Sequence, residues 1–319
     1  MIFRLSIPIS DSHLLWIWIS VRLLNDHLKE TFGCKVYKIA LNGAFTCPNR
    51  DGRLGTGGCI FCSAGGSGEF ASDPALSVYE QIEEGKALLK DKIGDKKCKY
   101  IAYFQAYTGT YAPIEKLREL YTEAVNHPDI VALSVATRPD CLPDEVLDLL
   151  SEINEIKPVW VELGLQTIHK RSADYIRRGY DLPVYDEAVG KLRERGIEVI
   201  THVILGLCGE SISDMTETVR YVCVSGASGI KLQLLHVLKG TDLAKEYAEG
   251  RIKVLSEDEY IEILKECVKI IPDDIVIHRL TGDGDKKLLI APLWSADKKH
   301  VRNRIQKEVL YVQGQKARE

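Results

Sequence analysis

The chain has 319 residues, 45% of them hydrophobic and 28% charged, with a formal net charge of −4. Such a chain is globular and long enough for one barrel-sized core or two smaller ones. Its acidic balance excludes a molecule that is basic all round, as a large nucleic-acid footprint requires. The nine cysteines are an odd number in a mid-sized chain. They do not read as a secreted disulfide framework and fit a reducing cytoplasm.

The first stretch, "MIFRLSIPISDSHLLWIWIS" (1–20), is apolar but interrupted by Asp11 and His13. It falls short of the ~18 unbroken apolar residues of a membrane span and lacks an A-x-A cleavage signature. It reads as an N-terminal extension, since helix signals leading into the domain begin near Val21. From residue 35 the pattern alternates. "KVYKIAL" (35–41) predicts a strand and is followed by a cysteine loop and a helix over 74–92. "YIAYFQ" (100–105) precedes a helix over 112–126 with proline near its first turn. "DIVALSVAT" (129–137) is followed by "PDEVLDLLSEI", and "PVWVELGLQ" (158–166) by a helix around 184–195. "GIEVITHVILGL" (196–207) precedes a helix over 211–225, and "GIKLQLLHVL" (229–238) a helix over 257–271.

Six β–α units with near-continuous apolar strands imply a parallel sheet covered by helices, as an open doubly wound sheet or a partial barrel. No GxGxxG opens the first helix, which argues against a dinucleotide-binding fold. Polar and glycine-rich stretches follow the strands: "AYTGTYAP", "TRPD", "GLQT", "GLCGE" and "LHVLKGT". In a barrel those positions form one mouth, where active sites are found. We therefore divide the chain into the extension (1–20), a barrel (21–272) and a C-terminal capping segment (273–319). Residues 296–319 hold seven Lys or Arg against three acids, either a solvated terminal helix or a small phosphate-facing patch.

The cysteine loop is "TCPNRDGRLGTGGCIFCSAGGSGEF" (46–70), with Cys47, Cys59 and Cys62 spaced x11 and x2 and no fourth Cys or His. A CxxC turn aims two sulfurs at one centre. Glycines let the loop wrap closely and leave backbone N–H groups facing sulfur. A structural zinc site would need a remote fourth ligand such as Cys98 or His202. A thioredoxin-like pair would leave Cys47 unexplained, and free structural cysteines would leave the spacing unexplained. The remaining reading is a four-iron cluster on three thiolates with one iron open. S-adenosylmethionine could chelate that iron through its amino and carboxylate groups.

At these residues the sequence resembles the radical-SAM superfamily, and within it a bacterial subfamily related to the radical-SAM domain of the Elongator catalytic subunit. The stretches that carry the resemblance include "KVYKIALNGAFTCPNRDG", "GGCIFC", "YFQAYTGTYAP", "SVATRPDCL", "VELGLQT", "IRRGYD", "HVILGLCGE", "IKLQLLHVLKGT", "HRLTGDG" and "APLWSADK", from about 35 to 298. The resemblance implies an α/β fold, a partial (β/α)6 radical-SAM barrel, with a [4Fe–4S] cluster on Cys47, Cys59 and Cys62 and bound S-adenosylmethionine. Reductive cleavage of that cofactor would yield a 5′-deoxyadenosyl radical that removes a substrate hydrogen.

By the same resemblance Phe61 would lie near the adenine, and Tyr107 and Thr108 at the turn that meets the methionine amine. Gln166 and Arg178, twelve apart, match a cofactor-contacting pair of the anaerobic coproporphyrinogen-oxidase branch. Arg178 would pair with the methionine carboxylate. His202 would face the ribose. Gly206 and Glu210 belong to an adenine-side turn in which Cys208 replaces the usual proline. His236, His278 and Asp283 are candidate catalytic residues. The blander alternatives are a capping Gln166, a surface Arg178, satisfied core histidines at 202 and 236, and a plain turn at "HRLTGDG".

The Elongator likeness points to the wobble uridine of tRNA, where a carboxymethyl-type side chain is built or processed. A flavodoxin or ferredoxin would donate the electron, and neither a membrane nor DNA is an expected partner. The chain as given leaves no room for an acetyltransferase domain. A radical-SAM enzyme of a small metabolite or protein side chain, and a non-catalytic iron–sulfur or zinc module, are the competing classes.

Overall fold

The computed structural model describes residues 2–6, 16–94, 96–282 and 284–311. Strands β1 (Ile2–Ser6) and β2 (Trp16–Ser20) pair antiparallel as a sheet of their own. The central sheet begins with β3 (Lys35–Leu41), β4 (Cys98–Phe104), β5 (Ile130–Thr137), β6 (Val159–Gln166), β7 (Glu198–Leu205) and β8 (Gly229–Leu234). These are the six strands expected from the apolar runs. Two short pieces, β9 (Val237–Leu238) and β11 (Leu289–Ala291), pair antiparallel, and β10 (Val276–Arg279) joins β8 in parallel. The order β10-β8-β7-β6-β5-β4-β3 gives seven parallel strands curled into a half barrel, with β3 and β10 as its unjoined edges.

The sheet departs from the sequence reading in two places. The run read as one strand over 229–238 is broken. The Leu235 N–H reaches the Leu205 carbonyl at 3.0 Å, and the chain then leaves the sheet to pair with 289–291. A seventh strand comes from the segment read as a cap. Its four residues, Val276–Arg279, are too short and too polar at one end to announce a strand. On its outer side Ile277 donates to the Arg22 carbonyl at 2.8 Å, so a short stretch of main chain covers that edge.

Alternation sorts the strands, interrupted in β5 by a bulge between Ile130 and Ala132. Along β6, Val159, Val161, Leu163 and Leu165 point outward into the main core, while Trp160, Glu162, Gly164 and Gln166 point into the lumen. Outside, helices cover the sheet, each with an apolar stripe turned inward. Val78–Ile93, Ile212–Ser225 and Glu257–Ile270 start with capping boxes at Ser77, Ser211 and Ser256. Leu117, Leu147, Tyr185 and Tyr260 are fully buried between helix and strand. Truncating one of the leucines to alanine costs ~2–5 kcal/mol in lost burial and cavity formation. The floor of the lumen is closed by a second apolar set, in which Val36, Ile101, Ala132, Trp160 and Ile200 each come from a different strand.

The C-terminal residues return to the barrel. Val301, Ile305, Val309 and Leu310 pack into the main core, and the Trp294 indole donates to the Leu255 carbonyl at 3.0 Å. Among the described residues no helix is long and apolar enough to cross a membrane.

Candidate active site

The cysteine loop follows β3 and lies over the C-terminal ends of the strands. Tight turns hold it. The Arg50 N–H donates to the Cys47 carbonyl at 2.8 Å, and the Cys62 N–H to the Cys59 carbonyl at 2.9 Å. Gly66, at φ +61°, sits under the Tyr107 ring, where a Cβ would approach a ring carbon to 2.4 Å. Glycine is required there by both conformation and contact. Tyr107 is itself at φ 60° and donates its hydroxyl to the Ala64 carbonyl at 2.6 Å.

All three cysteines line one cavity, together with Phe61, Tyr107, Thr108, Gln166, Arg178 and His202. Nine of the fourteen residues singled out in the sequence thus meet at one mouth. Gly206 and Glu210 do not line it. Gly206 turns at φ +88° against Leu255, and the Glu210 carboxylate accepts from the Thr167 hydroxyl at 2.6 Å, its proton affinity raised by burial. His236 and His278 also stand apart. His236 meets the Ser295 hydroxyl at 3.1 Å, and His278 lies edge-on to Trp160 at 5.5 Å between ring centres. Asp283 lies outside the described residues, as do the last basic residues of the tail.

Arg178 is buried rather than a surface charge. Its Nη1 donates to the carbonyls of Leu165 (3.1 Å) and Thr167 (2.6 Å), and its Nε to Tyr180 (3.0 Å). It thereby ties the end of β6 to the turn that follows the helix Lys170–Tyr175. Arg138 joins the same knot, donating to the Arg178 carbonyl at 2.8 Å while paired with Asp140. Its place on the cavity wall was not foreseen.

Could these residues hold an iron–sulfur cluster? Burial pushes the Cys59 thiol up to about 11 and raises Cys62 as well, so as thiolates they need a cation. The Asn49 amide donates to Cys59 Sγ at 3.3 Å, and Arg50 donates to the Ser63 carbonyl at 2.5 Å, beside Cys62. Among the described residues, the groups with three ligand atoms all within 4.8 Å are Glu83/His127/Asp129 and His169/Asp214/Glu217. The three cysteines line one cavity instead, and an all-thiolate donor set of this kind fits an iron–sulfur cluster.

Two comparisons bear on the family. The profile described as "Radical SAM superfamily" matches residues 49–222, and one described as "Radical_SAM C-terminal domain" matches 227–310. The first alone covers more than half of the chain. This chain belongs to the radical SAM superfamily. Among its relatives it is 48% identical to protein YtqA of Bacillus subtilis over 286 residues, 90% of this chain and 88% of that one. It is 39% identical to protein YhcC of Escherichia coli over 275 residues, 86% and 87% of the two chains. It is 25% identical over 156 residues, 48% of this chain and 29% of the other, to a tRNA uridine(34) acetyltransferase of Methanocaldococcus infernus. In fold it is similar to the archaeal Elp3 of Methanocaldococcus infernus, with a TM-score of 0.64 and 19% identity over 85% of this chain and 63% of that chain. As a radical SAM protein with this barrel, the chain is an enzyme, and its superfamily implies an iron–sulfur cluster and S-adenosylmethionine.

Beneath the cysteine mouth lies a group that the sequence reading missed except for His202. Glu162 is fully buried in the lumen. Its carboxylate accepts from Lys38 Nζ at 2.5 Å, from Lys231 Nζ, from the Ser134 hydroxyl at 2.8 Å and pairs with His202 Nε2 at 2.8 Å. Burial opposes its ionisation, yet Lys231, Lys38 and His202 outweigh that and hold its carboxyl well below the usual range. Burial lowers Lys231 to about 7 and, with Lys231 nearby, lowers His202 to about 4. His202, expected to face the ribose, therefore spends one ring nitrogen on Glu162. The available signal was a charged residue at the centre of an otherwise apolar strand: "KVYKIAL", "VWVELGL", "GIKLQLL". Such residues are rare in buried strands unless paired.

Proposed function

We propose that the chain performs radical-SAM chemistry on the wobble-position uridine of tRNA, acting on a carboxymethyl-type side chain. The observation that carries this reading is the 156-residue similarity to a tRNA uridine(34) acetyltransferase, supported by the likeness of fold to Elp3.

In this reading Cys47, Cys59 and Cys62 would hold a [4Fe–4S] cluster beside S-adenosylmethionine. Bound there, the pair would supply one-electron cleavage of a C–S bond and hydrogen abstraction from the substrate. The protein positions and shields. Asn49 orients the Cys59 sulfur, and Arg50 fixes the loop carbonyls of Cys62 and Ser63. Phe61, Ile176 and Ile204 form an apolar wall that excludes water from an adenine-sized group. Thr108, Gln166 and the Nη2 end of Arg178 offer the polar contacts for the methionine end. A guanidinium already anchored by its other nitrogens loses little freedom on binding a carboxylate. A flavodoxin or ferredoxin delivers the electron. A wobble base splayed out of its loop would enter the lumen, as enzymes that modify bases require.

The test has two steps. Anaerobically reconstituted protein with dithionite and S-adenosylmethionine should form 5′-deoxyadenosine. A strain lacking the gene should show altered wobble-uridine nucleosides by mass spectrometry. Unchanged wobble uridines overturn the tRNA reading.

A further inference from the structure

The lumen ions are unevenly matched. Lys38 and Lys231 share one carboxylate, that of Glu162, which takes Lys38 on Oε1 and Lys231 on Oε2. The neighbours do not restore the balance. Burial keeps His202 and His278 from protonating, and Tyr103 stays a neutral phenol. Lys231 donates to the Tyr103 hydroxyl at 3.3 Å, and Lys38 lies 4.7 Å from the centre of the same ring. Arg279 lines the same space beside Lys231 and has interactions of its own. One carboxylate serves two lysines, and burial lowers Lys231 to about 7, so Lys231 carries its full charge only when a second anion completes the set.

The place is reachable. Lys231 lines both the cysteine cavity and a second cavity at the gap between β3 and β10, where the half barrel does not close. Lys38 lines the second, and its side chain keeps 19% of its surface exposed, against 0% for Glu162. A substrate entering between those two edges would meet both ammoniums just below the cysteine mouth.

We propose that Lys38 and Lys231 form an anion-binding site in the lumen that takes a carboxylate borne by the reacting unit of the substrate. Glu162 already shows the geometry the two ammoniums accept. A second carboxylate would make two cations and two anions, while Glu162 holds both lysines in place between turnovers. The carboxylate chemistry follows from the ion count, and its assignment to a wobble side chain rests on the function proposed above.

The experiment is anaerobic titration calorimetry on the reconstituted full-length protein with S-adenosylmethionine present. The probes are 5-carboxymethyluridine, its neutral amide 5-carbamoylmethyluridine, and malonate. The acid should bind at least tenfold more tightly than the amide, and Lys38→Met should remove that preference. Glu162→Gln should strengthen acid binding by removing the competing internal anion. A merely structural ion triad predicts no such gain, and this variant carries the test if Lys38→Met fails to fold. Equal binding of acid and amide, or no gain in Glu162→Gln, overturns the anion site. Malonate bound in a Lys38-dependent way with neither nucleoside bound overturns the wobble assignment and supports the anion site. Failure of all three probes overturns both.

Discussion

The two faces of the same strands obey different rules. The outer face is mostly apolar side chains against helices, and a polar position on it, Thr201, meets the Tyr185 hydroxyl at 2.7 Å. On the lumen face, successive positions change character within two residues: Trp160 in the floor, Glu162 among lysines, Gly164 and Gln166 at the mouth. The outer face is complete in itself, each group satisfied by the chain. The inner face holds buried ions and thiols whose pairing the chain only partly supplies. Stability is concentrated on one side of the sheet and chemistry on the other.

That contrast can be tested by removing one group at a time, starting with the largest effect. Cys59→Ala or Cys62→Ala should abolish both iron loading, about four per chain in the parent, and 5′-deoxyadenosine formation, with the thermal midpoint of the metal-free protein little changed. Retained iron in either variant would break the assignment of the mouth. Glu162→Ala should cost ~3–5 kcal/mol in denaturant unfolding, because it leaves two ammoniums buried without a partner. Glu162→Gln should cost less, since its amide still accepts hydrogen bonds. Leu147→Ala on the outer face should lose ~2–5 kcal/mol while iron content and cofactor cleavage per folded molecule stay at parent level. If both of those variants depress chemistry equally, the division between the faces fails.

The lumen also sets an acid sensitivity. His202 binds its proton near 4 in the folded chain against an ordinary 6.5. Between those values the unfolded chain therefore binds more protons, and stability falls as pH falls from about 6.5 to 4. The loss should be on the order of 3 kcal/mol, read as the difference between parent and His202→Gln across that window. The smallest effect is expected from Asn49→Ala. Loss of the amide that donates to Cys59 Sγ should shift the cluster midpoint downward in an EPR-monitored redox titration without loss of iron.

The β–α rhythm, the six apolar strands and the Cys47-x11-Cys59-x2-Cys62 spacing were legible in the sequence because each depends on neighbours along the chain. The gathering of Phe61, Tyr107, Thr108, Gln166 and Arg178 was expected only through the family resemblance of the motifs around them. The seventh strand was not legible, since four residues with His278 and Arg279 at one end form a strand only against the edge of β8. Nor was the partnership of Lys38, Glu162 and Lys231, which lie 124 and 69 residues apart in sequence. A charge inside an apolar strand shows that a partner must exist but not which one it is. Local spacing determined the elements and the placing of three thiols in one loop. The curl of the sheet decided which distant side chains share the lumen, because only closure of the strands around a common axis brings their inward faces within reach of one another.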